Sequence, residues 1–126
     1  MNDEKKYLFT SDHEWINSVE NVATIGITNF AQSELGDIIF VELPNIGDLF
    51  KSGEVFGTIE AVKTVADLFM PLSGEILEIN SEIENNPEII NNNAFNKGWI
   101  VKIKINNLNE KDQLLSYAQY KELINV

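Results

Sequence analysis

Alternation of apolar and polar residues dominates this chain and predicts short β-strands. Three runs carry the pattern most clearly, at Val22–Ile27, Ile38–Leu43 and Trp99–Ile105. In the third run, isoleucine and valine alternate with lysine, which is typical of a strand with one buried and one exposed face. Glycines separate many of the apolar runs and mark turns. The pattern therefore predicts a mostly β protein.

Two short helices are indicated by residues that begin or end helices. Thr28 can cap a helix over Asn29–Leu35, and Gly36 can end it. Near the C-terminus, Ser116 is followed three residues later by Gln119, which is the spacing of a capping box. We therefore expect a small number of short helices around the strands, including a C-terminal helix.

The rest of the chain shows no boundary between domains. Residues 79–92 form a polar connection with some helical character, and the tract Asn91–Asn93 is interpreted as a loop. No Gly/Ser-rich linker or block of like charges divides the sequence. We therefore expect residues 1–126 to form a single domain.

A short internal repeat draws attention to one lysine. The segment Ser52–Phe56 (SGEVF) recurs as Ser73–Leu77 (SGEIL), and Lys63 lies almost midway between the two copies. The β-type stretch Val55–Met70 is too long for one ordinary strand, yet it contains no proline and no glycine near its middle. A turn at Ala61–Thr64 would place Lys63 at the tip of a hairpin. By itself, such a lysine is as easily an ordinary solvated charge.

Composition narrows the possible function classes. The formal net charge is −11, and all nine basic residues are lysines, so a nucleic-acid-binding role is not expected. The chain has no cysteine and one histidine, His13, so it offers neither a thiolate nucleophile nor a metal-ligand cluster. His13, Trp15 and Trp99 are expected to have structural roles. No apolar run is long enough to span a membrane.

Many ordered motifs together resemble the glycine cleavage H-protein family. The segment Ile59–Thr64 (IEAVKT) is similar to the motif in which those proteins carry lipoate on lysine. The resemblance extends from about Tyr7 to Leu123, and its other motifs are HEW at 13–15, ATIGIT at 23–28, LGDI at 35–38, VELP at 41–44, PLSGE at 71–75 and GWIVKI at 98–103. Ala61 and Thr64 replace the usual serine and alanine, but the acceptor lysine is present.

The resemblance implies a fold, a cofactor and a site. Related proteins adopt the barrel-sandwich hybrid of lipoyl and biotinyl domains, with short helices added. Lys63 would carry lipoate in amide linkage, as N6-lipoyllysine. A cleft formed by Glu14, Ile27, Leu35 and Asp67 would shelter the loaded arm, with the two acids facing its ammonium end. Glu60 could be recognised by the enzyme that attaches the lipoate, or it could be an ordinary charge on the strand surface.

The resemblance also implies a carrier and not an enzyme. The lipoyl arm would take the aminomethyl intermediate of glycine from the PLP-dependent glycine decarboxylase (P protein) to the aminomethyltransferase (T protein), and would be reoxidised by dihydrolipoamide dehydrogenase (L protein). A lipoate ligase or lipoyl transferase would be a further partner. We expect a monomer with no membrane partner, in the cytoplasm, or in the mitochondrial matrix if the chain is a processed form.

Four alternatives remain open. A lipoyl domain of a 2-oxoacid dehydrogenase usually presents Asp-Lys-Ala, and a biotin carrier has Met on both sides of the lysine. Here the neighbours of Lys63 are Val62 and Thr64. An H-protein-like lipoyl relay, serving lipoate transfer or redox defence, would share every motif. A small β-domain used only for binding is the fourth alternative.

Overall fold

The computed structural model describes residues 6–124. It contains nine strands, a 3₁₀ segment at Leu108–Gln113 and four short helices in that range. The strands are β1 (Leu8–Phe9), β2 (Glu14–Val19), β3 (Val22–Ile27), β4 (Ile38–Glu42), β5 (Leu49–Phe50), β6 (Val55–Ala61), β7 (Val65–Phe69), β8 (Gly74–Ile79) and β9 (Val101–Ile105). The helices are α1 (Asn29–Leu35), α2 (Glu82–Asn85), α3 (Glu88–Asn92) and α4 (Tyr117–Leu123).

The strands form two antiparallel sheets. The larger sheet has the order β1-β2-β3-β9-β8-β5, and the smaller has the order β4-β6-β7. One hydrophobic cluster joins them, with Ile25 and Ile103 from the larger sheet and Ile59 and Leu68 from the smaller. This arrangement, with its short helices and C-terminal helix, confirms the mostly β fold expected from the sequence.

A second cluster of aromatic rings anchors both ends of the described chain. Phe9 stacks on Tyr120 of α4, with ring centroids 4.7 Å apart. Trp15 is buried beside them, and its indole N–H donates to the carbonyl of Ala94 at 3.0 Å. The structural role expected for Trp15 is confirmed, and Trp99 packs half-buried at the edge of the same cluster.

The residues predicted to begin and end the helices have these roles in the structure. Thr28 Oγ1 accepts the N–H of Ala31 at 3.1 Å, and Gly36 follows α1 with φ 80°. Ser116 and Gln119 form the complete capping box at the start of α4. Both helices are short, so these capping residues form hydrogen bonds with a large share of the backbone N–H and C=O groups that are unpaired at the helix ends.

Four predicted boundaries were wrong, and the smallest difference is in β4, which ends at Glu42 and not at Leu43. Asn91 and Asn92 end helix α3 and do not belong to a loop, because the Asn91 side chain is held by partners distant in sequence. Ile79 closes strand β8 and does not begin the helical connection. The last strand starts at Val101, since Trp99 lies outside the ladder.

The repeated Ser-Gly-Glu segments meet in space. The N–H of Ser52 donates to Oγ of Ser73 at 3.0 Å. Gly53 sits in a turn with φ 91°, and Gly74 instead begins strand β8. The two copies therefore lie side by side but differ in backbone conformation.

Candidate functional site

Lys63 lies at the exposed tip of the β6–β7 hairpin, as the sequence predicts. Strand pairing runs up to Glu60 and Val65, and the N–H of Ala61 donates to the carbonyl of Thr64 at 2.8 Å. The tip is also fastened sideways, because the N–H of Val62 donates to the carbonyl of Asp37 at 3.0 Å. The backbone at the tip is thus held in place, while the Lys63 side chain is exposed.

The segment that fastens the tip is in turn held by Asn91 of α3. Its Oδ1 accepts the N–H of Ile38 at 3.0 Å, and its Nδ2 donates to the carbonyl of Gly36 at 2.9 Å. The same Nδ2 donates to Oε1 of Gln32 at 3.0 Å. Residues 36–38 therefore have a fixed position relative to α1 and α3. Sequence reasoning missed this role, because it interpreted the tract Asn91–Asn93 as a loop.

A cavity of about 290 Å³ opens beside the hairpin, between β7 and α1. It is lined by all four residues that the resemblance assigns to the cleft, Glu14, Ile27, Leu35 and Asp67. The structure therefore brings these four together around one space. The remaining lining residues, which the sequence did not single out as a group, are Asp12, His13, Phe30, Ala31, Glu34, Ile59, Ala66 and Leu68.

The cavity lies close in sequence to the hairpin tip that carries Lys63. Ala66 and Asp67 of β7 follow Lys63 by three and four residues, which corresponds to at most roughly 10–13 Å along the backbone. On the opposite wall, Leu35 directly precedes Gly36. The cavity walls combine an apolar surface from α1 and the strands with acidic groups. Such a space suits a long apolar arm that ends in a cation.

Glu14 is the most perturbed acid of the described chain. The residue is 2% exposed, and its Oε2 accepts the N–H of Phe69 at 2.8 Å. Burial raises its pKa from 4.5 to about 8, and the nearby Asp12 carboxylate adds to this effect. The hydrogen bonds from Phe69 and Thr10 act in the opposite direction. Glu14 can therefore hold a proton near neutral pH, and a cation placed beside it would favour its ionised form.

His13 lines the cavity and also contacts helices α1 and α4. Its Nδ1 lies 2.9 Å from the hydroxyl of Tyr120, which lies 2.8 Å from Oγ1 of Thr28. Its ring packs on Phe30, with centroids 4.9 Å apart. These contacts link α4 to the cap of α1 and agree with the structural role expected for the histidine. Among residues 6–124, no group of three or more His, Asp or Glu is placed to hold a metal ion.

None of the helices in the described range has the length and apolar character needed to cross a membrane.

Comparison with known proteins gives a consistent result. The sequence model of the family described as "Glycine cleavage H-protein" matches residues 7–126. The glycine cleavage system H protein of Staphylococcus epidermidis is 48% identical over 119 residues, which cover 94% of each chain. That of Bacteroides thetaiotaomicron is 45% identical over 125 residues, covering 99% of each.

A solved structure agrees with these sequence relatives. The crystal structure of a glycine cleavage system H protein from Mycobacterium marinum superimposes with a TM-score of 0.89 at 32% identity. The match covers 97% of this chain and 98% of that one. Sequence motifs, fold and relatives thus point to the same group of proteins, and the chain belongs to the glycine cleavage H-protein family.

Proposed function

We propose that this protein is the lipoyl carrier of a glycine cleavage system and that Lys63 is its point of attachment. The observation that carries the proposal is the position of Lys63, exposed at the tip of a fastened hairpin and next to a cavity with apolar and acidic walls. When attached, lipoate supplies a disulfide that can accept the aminomethyl group left after decarboxylation of glycine.

The residues present fit such a group. Amide formation would remove the charge of Lys63, so that the side chain could follow the apolar wall beginning at Leu35. Ile27, which is buried, lines the same cavity. Glu14 and Asp67 offer carboxyl groups to an ammonium there, and Glu14, being buried, would make the stronger charge-assisted contact. Enclosure in this cavity would protect a labile amine adduct from water.

The proposed partners are three enzymes that act in turn on one arm. They are the glycine decarboxylase, the aminomethyltransferase and dihydrolipoamide dehydrogenase, and a lipoate ligase or lipoyl transferase would load the arm. The chain itself would act as a non-catalytic carrier. Tethering to Lys63 raises the effective concentration of the cargo at each partner. With bacterial relatives, we assign the protein to the cytoplasm as a monomeric, single carrier domain.

The attachment site can be tested by intact mass after coexpression with a lipoate ligase in medium containing lipoate. The wild-type chain should gain one lipoyl group, and Lys63→Arg should gain none. Lys104→Arg is the matched control, because Lys104 is also an exposed lysine but lies on strand β9 of the larger sheet. A lipoyl gain that persists in Lys63→Arg would overturn the assignment.

The carrier role can be tested separately with the lipoylated protein. Added to the glycine decarboxylase, it should support exchange of labelled carbon dioxide into the carboxyl group of glycine. Lipoylated protein that fails in this exchange would contradict the carrier role and leave the relay alternative. The unmodified Lys63→Arg protein provides the background rate.

A further inference from the structure

Strand β4 carries an irregularity that exposes two neighbouring apolar side chains. Ile38 pairs with Ala61 and Phe40 pairs with Glu60, so Ile39 is one residue more than the partner strand has. Because of this bulge, Ile39 and Phe40 are 57% and 48% exposed, although they are adjacent in sequence. An undisturbed strand would turn one of them inward. Bulges commonly re-aim side chains beside functional sites.

The exposed side chains lie on the three strands of the smaller sheet and on the hairpin tip that carries Lys63. Phe40, Glu60 and Val65 are cross-strand neighbours on β4, β6 and β7, and Val65 is 62% exposed. Val62 of the hairpin tip is also exposed. We call the apolar group Ile39, Phe40, Val62 and Val65 the tip patch. These side chains are exposed and lie outside the hydrophobic core. Clustered apolar exposure of this kind marks interaction sites.

The charged residues on the elements that carry the tip patch are all acidic, apart from Lys63. On β4, β6, β7 and the connecting tip, Lys63 is the only basic residue, and the acids are Glu42, Glu60 and Asp67. A complementary partner would therefore offer an apolar surface bordered by arginine or lysine side chains. In the complex, this partner surface would surround Nζ of Lys63.

We propose that the tip patch is the docking surface for the enzyme that acylates Lys63. This inference rests on the proposed lipoyl-carrier function. Among the proposed partners, only the acylating enzyme performs chemistry at Nζ, and the others act at the far end of the loaded arm. An enzyme that reaches Nζ at the hairpin tip must cover the adjacent apolar side chains.

An apolar enzyme surface that covers the tip patch also assists the acylation of Lys63. Removal of water disfavours the ammonium form of Lys63 and favours the neutral amine, which is the nucleophile. The Nζ lone pair attacks the acyl carbon of a lipoyl group activated as a mixed anhydride with a phosphate. The C–N bond forms, the C–O bond to phosphate breaks with its electron pair leaving on the phosphate oxygen, and the Nζ proton passes to a base of the enzyme.

The test is the rate of acylation of the unmodified protein by a lipoate ligase with lipoate and ATP, followed by intact mass at varied carrier concentration. Phe40→Ser should raise the KM for the carrier by about tenfold or more, as expected for loss of an aromatic anchor, with kcat less affected. Leu49→Ser is the matched control, because Leu49 is 70% exposed on the distant strand β5. It should behave as the wild type. Urea unfolding curves of both variants confirm that they are folded.

The outcomes separate the two proposals. If the wild type is acylated at Lys63 and Phe40→Ser shows the same KM, the docking surface is wrong and the carrier function stands. If the wild type is not acylated, the proposed function itself fails. If the lipoylated Phe40→Ser protein loses exchange with the glycine decarboxylase more than it loses acylation, the tip patch belongs to that partner, and our assignment is overturned.

Discussion

The side chain of Lys63 rests against Gly36: a Cβ atom on that glycine would lie 3.7 Å from Cε of the lysine. Gly36 ends helix α1 with φ 80° and ψ −154°, a conformation that other residues adopt only with strain. The absent side chain thus has two consequences. It permits the turn that leads into β4, and it leaves room for the stem of the lysine side chain.

Replacement of this glycine should affect both stability and acylation. Gly36→Leu is expected to lower the free energy of unfolding by about 1–3 kcal/mol, because of the positive φ, and to slow acylation of Lys63 because leucine occupies the path of the stem. Gly53→Leu is the control, since Gly53 has φ 91° and open space around it. It should lose stability but not acylation rate. Urea unfolding and intact-mass time courses measure the two effects, and equal acylation rates would refute the steric part.

The buried carboxyl of Glu14 should make stability depend on pH. Its pKa is about 8 in the folded protein and 4.5 as a reference value, so the folded state binds the proton more tightly than the unfolded chain does. Stability from this group is complete below about pH 4.5 and is lost as the pH rises toward about 8, with a slope of at most about 1.4 kcal/mol per pH unit. Glu14→Gln should remove this slope. Urea unfolding of both proteins from pH 5 to about pH 9 measures it, and parallel curves would contradict the burial effect.

The same carboxyl should protect the amine-loaded carrier. Glu14→Ala is expected to speed spontaneous loss of ammonia from the glycine-loaded protein by about tenfold, because a charge-assisted hydrogen bond to the ammonium is lost. Asp67→Asn should have a smaller effect, since Asp67 is exposed. Glu78→Gln on the larger sheet is the control. Ammonia release after removal of the enzymes is the measurement, and an unchanged rate in Glu14→Ala would exclude its contact with the amine.

Asn91 should matter far more than the asparagine beside it. Asn91→Ala leaves the Ile38 N–H and the Gly36 carbonyl without this partner, which we expect to cost about 2–4 kcal/mol of unfolding free energy. Asn92 is exposed on the same helix, so Asn92→Ala should change stability by about 0.5 kcal/mol or less. Thermal and urea unfolding decide between them. Similar losses of unfolding free energy in both variants would show that the effect comes from the helix itself and not from the hydrogen bonds of the Asn91 side chain.

Local patterns predicted the elements that local chemistry determines. Thr28 and Gly36 bound α1 as expected, because capping depends on residues within one helical turn. The hairpin tip at Lys63 followed from the length of one β-type stretch. The composition of the cleft came from the family resemblance, since its walls are contributed by segments far apart in the chain.

Features that depend on distant partners were not predictable in this way. The Asn91 amide is bound by groups 53 to 59 residues earlier, so its own neighbours suggested only a polar loop. The bulge at Ile39 arises from the register between β4 and β6. The burial of Glu14 depends on how β2 packs in the folded chain. From the sequence alone, a glutamate is normally expected at the surface.

The bulge in β4 has one more consequence, which concerns self-association. Strand β4 is at an edge of the smaller sheet, and an exposed edge bearing isoleucine and phenylalanine would invite another chain to add a strand. The extra residue interrupts the regular ladder there, and Asn91 occupies the N–H of Ile38. The protein can thus display apolar side chains at this edge while offering a weaker template for the addition of another strand, which suits the carrier role proposed above.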